Sequence, residues 1–438
     1  MPQHVPPSPP LPASPAAAPA PLEPPAPLAP PAPRTPSTVT APAAYPFPAA
    51  PPSPVADEPP RPRRIVFLAR RDLANPAAGG SELLVDRIAA GLTAHGHEVT
   101  LLCGGPTSPA GPPPVEIPTF PGGTGVRETA PAYRVLTAGG DAGHFLRVPR
   151  QVTRRAGGCD LLVEVCNGMP YLAPLWHRGP TLCLVNHVHT DLWRMRYPAP
   201  AARLGRRLEH WALAGTHRGN LMVAVSDSTA AALADLGVAP ERIRLVHNGV
   251  EEPGPLLPEA PEPLFLAMGR LVEYKRVDLL LRLWERVRPV TGGRLVIVGD
   301  GPEHNRLAAL AGPDVVFTGR ISEQRKHQLL CSSWLLLHPS LVEGWGLVVM
   351  EAAARGTPTV GFDIPGLRDS VEDGTTGLLA RGESAFAAHW CTLALSARRR
   401  HALGAAAADR AARFRWSRTV RSFRAVATEA YLRPLAGR

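Results

Sequence analysis

"HPSLVEGWGLVVMEAAARGTPTV", residues 338–360, decides how this chain is read. The run that enters it, "WLLLHPSL", is short and apolar, as a buried strand is, and "GLVVMEAAARG" has helix-forming composition with a stop at Gly356. Glu343 therefore falls in the loop where a strand ends, and Glu351 inside the helix that follows. In open α/β sheets ligands bind at the carboxyl ends of the strands. Two acids eight residues apart, on either side of a Gly-Trp-Gly turn, accordingly mark a binding site.

Outward from this stretch, apolar runs alternate with helical patterns. "IVFLAR", "HEVTLLC", "DLLVEV", "TLCLV", "LMVAV" and "IRLVHN" read as strands of one sheet; "PLFLAMG", "RLVIVGDG", "VVFTGR", "WLLLHPS" and "TPTVGF" read as strands of a second. Strands separated by helical segments predict parallel sheets with right-handed crossovers. Residues 104–150, rich in Gly and Pro, read as long loops with one strand. The acidic, proline-rich "EEPGPLLPEAPEP" separates the two series as an interdomain linker. The expected fold class is α/β, with two Rossmann-like parallel-sheet domains facing across a cleft. The expected division is 1–62 tail, 63–250 first Rossmann-like domain, 251–263 linker, 264–415 second Rossmann-like domain and 416–438 closing helix.

Composition narrows the class. The chain has 438 residues, enough for two cores, and 53 prolines, of which 25 crowd into the first 62 positions. That Pro/Ala-rich tail has too little apolar surface to offset the entropy of ordering and is expected to be disordered. No basic-then-apolar leader and no run of about 18 apolar residues is present, so a cytoplasmic protein is expected. Six cysteines without a C-x-x-C pair read as buried, reduced thiols. The net charge of +10 comes almost entirely from arginine, and nucleic-acid binding, which rests on charge alone, is set aside. The densest basic stretch, "LWRMRYPAPAARLGRRLEHW" (192–211), interleaves Trp and Tyr with Arg. It reads either as a solvated helix or as a peripheral contact with anionic lipid at the inner face of the membrane.

Chemistry concentrates at predicted strand ends. "GRLVEYKR" puts Arg270 and Lys275 after the first strand of the second domain, where two cations form a diphosphate clamp. The amides of Gly346, Leu347 and Val348 at the helix start add oriented donors. Within that frame Glu351 accepts from a vicinal diol such as ribose, and Glu343 points toward the sugar beyond the phosphate. Glu251 and Glu259 have the same spacing in the linker and are expected to have no role. In the first domain Gly79 and Gly80 lead into a helix, with Ser81 read as its N-cap, and offer amides from the opposite wall. His187, His189 and Asp191 in "LVNHVHTDLW" allow a metal reading, but no third and fourth ligand group accompanies them, nor any Asp-x-Asp pair. Polar residues facing a cleft fit better.

Taken in order, "GGSE", "VAVSDSTAAALADLGVAPERIRLVHNGV", "GRLVEYK", "VGDGPE", "FTGRIS" and "EGWGLVVMEAAARGTPTVGFDIPGLRDSVEDGTTGLL" resemble the family 4 glycosyltransferases, retaining enzymes of the two-domain GT-B fold. The resemblance covers about residues 64–430. It implies that Glu351 binds the nucleotide ribose, Glu343 lies near the donor sugar, and Arg270 and Lys275 hold the diphosphate. It implies that residues 63–250 form the acceptor-binding domain and 264–415 the nucleotide-sugar donor domain, that His187 reaches the donor sugar, and that the last helix crosses back to the first domain. Trp345 departs from the more usual Phe without affecting the turn. The activity implied is transfer of a hexose-type sugar from a nucleotide-diphosphate sugar to a hydroxyl acceptor. No cofactor and no metal are expected, because the demand is to stabilise charge on the leaving β-phosphate. The competing reading is a nucleotide-sugar-binding scaffold without turnover, against which the intact set Arg270, Lys275, Glu343 and Glu351 argues.

Overall fold

The computed structural model describes residues 63–75, 77–104, 132–139, 144–156 and 158–433. The proline-rich segment 1–62, and with it the expected disorder of the tail, lies outside the described residues.

Seven strands, β1 (Arg64–Ala69), β2 (Glu98–Cys103), β3 (Arg134–Thr137), β4 (Leu161–Asn167), β5 (Thr181–His187), β6 (Leu221–Ala224) and β7 (Ile243–Leu245), form an all-parallel sheet in the order β3-β2-β1-β4-β5-β6-β7. Helices α1 (Gly80–Ala94), α2 (His144–Arg155), α3 (Thr190–Arg196), α4 (Ala199–His210) and α5 (Asp227–Asp235) connect them. A parallel sheet covered on both faces needs strands that are apolar throughout, and β4 and β5 are buried along nearly all their length. The region read as loops with one strand contains β3 and also α2, a helix that Pro149 inside it and the neighbouring glycines disguise.

The second sheet has six parallel strands, β8 (Leu264–Met268), β9 (Arg294–Val298), β10 (Val315–Gly319), β11 (Leu335–His338), β12 (Thr359–Phe362) and β13 (Gly377–Ala380), ordered β10-β9-β8-β11-β12-β13. Its helices are α6 (Val277–Thr291), α7 (His304–Ala309), α8 (Glu323–Ser332), α9 (Leu347–Ala353), α10 (Leu367–Ser370), α11 (Glu383–Leu395) and α12 (Ala397–Ala411). Strand order reverses between β1 and β4 in one sheet and between β8 and β11 in the other. The carboxyl ends of those pairs are the topological switch points, where crevices open.

The last helix, α13 (Trp416–Leu432), leaves the second domain and packs on the first. Phe423 and Val426 are fully buried with Phe67, Leu84 and Ile88, and the Phe67 and Phe423 rings stack at 5.9 Å. Burial of a phenylalanine side chain stabilises by about 1.5–3 kcal/mol. Arg244 of β7 then grips Glu429 of α13 through two hydrogen bonds of 2.7 and 2.5 Å. The linker acid Glu259, expected to be idle, instead takes a bidentate pair from buried Arg400 at 2.7 and 3.0 Å and a contact from His401. A buried guanidinium needs such a partner, and this one ties the linker to α12.

Candidate active site

The stretch 338–360 folds as its composition dictates: β11 ends at His338, a turn occupies 341–346, and α9 starts at Leu347. Gly346 caps α9 in the left-handed region, at φ 76°, a conformation in which a β-carbon is costly. Gly366, at φ 72°, approaches so closely that any side chain there would collide with the carbonyl oxygen of Glu343. The Glu343 loop is thereby pinned from behind.

Across the β8/β11 switch point lies the loop with Arg270 and Lys275. Lys275 Nζ is 2.6 Å from Glu343 Oε2, and His338 Nε2 is 2.9 Å from the same oxygen. Ser340 Oγ completes the cluster at 3.2 Å from His338 Nε2. Burial by itself would raise the Glu343 carboxyl, but the Lys275 charge and the His338 hydrogen bond overcome it and hold the group well below the usual carboxylate range. His338 is pushed down, first by burial and then by Lys275, so it stands neutral beside the ionised acid. Arg270 is exposed, with Nη2 3.4 Å from the Tyr274 hydroxyl. A small pocket opens here, lined by Gly269, Arg270, Lys275, Val298, His338 and Ser340 among others. Two cations at the mouth of such a cavity are suited to a multiply charged anion.

Glu351 sits one to two turns into α9 and accepts from Lys326 Nζ of α8 at 2.9 Å; the same ammonium is 2.6 Å from Glu323. Sequence reading missed Lys326 and His338. For Lys326 a signal existed: among the 47 basic residues only two are lysine, Lys275 and Lys326. Each is paired with one of the two glutamates of the 343–351 segment.

The first domain supplies the opposite wall. His187 ends β5, and a side chain added at Gly344 would strike the carbonyl of Asn186 and come within 3.7 Å of His187 Cβ. Gly80 opposes Leu347: a β-carbon on the glycine would lie 3.5 Å from the leucine side chain. Gly79, Gly80, His187, Gly344 and Leu347 therefore line one seam between the domains. Val348, half-buried in the first turn of α9, packs against the apolar cluster beneath the sheet. Ser81 is not the N-cap of α1: the cap is Gly79, whose amide donates to Glu82 Oε2 at 2.8 Å, and the Ser81 hydroxyl donates to that same carboxylate. A glutamate at the third helical position reaches back more effectively here than a serine already inside the helix. The seam is closed further by Ser228, whose amide donates to Asp369 and whose hydroxyl accepts from Gly366 N, both at 3.1 Å.

His189 keeps its ring beside that of His187, with centroids 5.5 Å apart, and turns its backbone toward α4. Its amide donates to the buried carboxylate of Glu209 at 2.6 Å, and Trp193 Nε1 donates to the other oxygen at 3.1 Å. Burial pushes the Glu209 carboxyl up to about 7 against those two bonds. Among the described residues no group of three or more His, Cys, Asp or Glu is placed to hold a metal ion. No described helix is long and apolar enough to cross a membrane.

Comparison with known proteins agrees with this architecture. Residues 78–252 match the model described as Glycosyltransferase Family 4, and residues 262–395 match Glycosyl transferases group 1. A D-inositol 3-phosphate glycosyltransferase of Stackebrandtia nassauensis is 32% identical over 282 residues, which are 58% of this chain and 61% of that protein. A GDP-mannose-dependent alpha-mannosyltransferase of Corynebacterium glutamicum is 37% identical over 112 residues, 26% of each chain. The matches thus span less than two thirds of these relatives' own lengths. Among solved structures, sucrose-phosphate synthase from Thermosynechococcus elongatus superposes with a TM-score of 0.69 at 20% identity, covering 84% of this chain and 99% of the other. Anabaena HepE, solved with UDP and glucose, gives 0.62 at 17% identity, covering 84% and 100%. The fold is GT-B, and with both halves matched in order the chain belongs to the family 4 glycosyltransferases.

Proposed function

We propose that this protein is a retaining, metal-independent glycosyltransferase that moves a hexose-type sugar from a nucleotide-diphosphate sugar to a hydroxyl acceptor. The observation that carries the reading is the pairing of Lys275 with Glu343 beside Arg270 and neutral His338, at the switch point of the second sheet. The names of the relatives support it, since they include a GDP-mannose-dependent mannosyltransferase and an inositol-phosphate glycosyltransferase, and HepE was solved with UDP and glucose.

The chemistry asked of these residues is specific. As the glycosidic bond stretches, negative charge grows on the β-phosphate, and Lys275 and Arg270 stabilise it in a site already organised before the donor arrives. Glu343 and His338 hold the ammonium in place, and the Lys275 charge in turn favours the ionised acid. His187, from the opposite domain, faces the donor sugar. Glu351 accepts from the ribose. The leaving phosphate assists deprotonation of the acceptor on the same face, so configuration is retained without a protein nucleophile.

The test is a thermal-shift panel with UDP, GDP, ADP and TDP and their sugars, with magnesium or with a chelator, followed by assignment of the product anomer by NMR. Ligand that binds only the native state raises the midpoint by mass action. A chelator-insensitive shift with one nucleotide and an anomer matching the donor is expected. An inverted product, or a shift abolished by chelator, defeats the corresponding part of the reading.

A further inference from the structure

We propose that Lys326 is a positioning residue of the donor site, orienting Glu351 toward the ribose diol; this rests on the donor-site reading above. Its side chain is mostly buried, at 15% exposure, and so is that of Glu351, at 13%. Burial alone would lower an ammonium pKa, but Glu351 and Glu323 together raise it, so the charge is firmly held. Glu351 Oε1 is occupied by the ammonium, which leaves Oε2 to accept from a ligand. In a chain that uses arginine almost everywhere, lysine survives only at 275 and 326. A compact point charge fits between two carboxylates where a planar fork does not.

The experiment measures binding of UDP, dUDP, GDP and dGDP to the full chain and to Lys326→Met, Lys326→Gln and Lys326→Arg by calorimetry, with thermal unfolding as the folding control. The wild type should prefer one ribonucleotide over its 2′-deoxy form by roughly tenfold, the value of a good hydrogen bond to a charged group. The Met and Gln variants should bring that ratio near one while retaining deoxynucleotide binding, and Arg should not restore it. A ratio unchanged in the variants overturns the role of Lys326. Equal binding of ribo and deoxy forms by the wild type overturns the ribose contact itself, and no binding of any nucleotide overturns the donor-site reading.

A separate observation concerns α4. Its inner face is made of Ala202, Gly205 and Glu209, all buried, with Gly205 pressed so tightly on the Trp193 ring that no larger residue fits. One outer stripe carries Leu204, Leu208 and Trp211, spaced along a single helix face and 58%, 44% and 47% exposed. Beside it run Arg203, Arg206, Arg207 and His210, and α3 adds exposed Arg194 and Met195. We infer that this face docks on an anionic membrane surface. A three-faced helix of this kind lies in the interface plane with its apolar stripe inserted and its arginines at the headgroups. Charge favours that occupant: a second copy would bring the same arginines together, and the chain's first 62 residues carry only Glu23, Asp57 and Glu58 as acids.

The full chain should cosediment with phosphatidylglycerol-containing vesicles more than tenfold better than with pure phosphatidylcholine, and salt should weaken the binding. Each arginine near such a surface strengthens binding roughly fivefold. Leu204→Gln with Leu208→Gln, and separately Arg203→Gln with Arg207→Gln, should each reduce binding at least tenfold with the thermal midpoint unchanged. Binding that is absent from anionic vesicles, or undiminished in both doubles, overturns the inference. So does a variant that instead changes the oligomeric state, since the face would then be a contact between copies.

Discussion

Lys275 Nζ and Glu343 Oε2 meet at 2.6 Å although they lie 68 positions apart, and Lys275 lines the pocket between β8 and β11. A cation needed for a diphosphate is thus stored against an internal carboxylate. Lys275→Ala should lower kcat by roughly 10²–10³, the usual cost of losing one group that stabilises transition-state charge. Glu343→Gln should cost at least tenfold less in kcat, because the lysine remains. Steady-state kinetics with the donor identified by thermal shift decide this, and equal losses would remove Lys275 from the leaving-group role.

Gly344 lies against the Asn186 carbonyl across the domain seam. Gly344→Ala therefore sets a methyl group against backbone and must part the walls. Overpacking of this kind costs about 1–3 kcal/mol, and kcat/KM should fall more than tenfold while small-angle scattering reports a larger radius. Activity within twofold of wild type would mean the seam is not tightly closed in solution.

Glu209 gives the protein a pH-dependent stability. Its carboxyl titrates near 4.5 in the unfolded chain and at about 7 in the fold. Between those values the native state holds more protons at this site than the unfolded state, so the contribution of Glu209 to stability is greatest below about pH 4.5 and declines as pH rises toward 7. At about 1.36 kcal/mol per pH unit the decline is at most roughly 3 kcal/mol. Urea midpoints at pH 5 and 7.5 should show this difference in the wild type relative to Glu209→Gln, and parallel profiles would refute it.

Phe423 stacks on Phe67 and is fully buried. Phe423→Ala should destabilise by about 3–5 kcal/mol and should lower the unfolding midpoint of the first domain's core. Independence of that midpoint from the substitution would show that α13 is dispensable to the core it covers.

Much of this protein was legible in its sequence. The strand-and-helix alternation and the Gly-Trp-Gly turn before α9 are local patterns, set by side-chain period and by the backbone freedom of glycine. They carried the two-sheet fold and named Arg270, Lys275, Glu343, Glu351 and His187 as candidates. The helix α2 escaped because its Pro149 and flanking glycines mimic a loop, and Ser81 was misread as a cap because Glu82 performs that task from inside the helix. Which groups touch was decided by the tertiary structure alone. Lys275 meets Glu343, Lys326 meets Glu351, His338 shares the first acid, and Glu259 answers Arg400. Those pairings join separate stretches of chain, and a preference for burial or a helical period says nothing about which distant charge will stand opposite. Only the order of strands in the sheet, which brings β8 beside β11, fixes that.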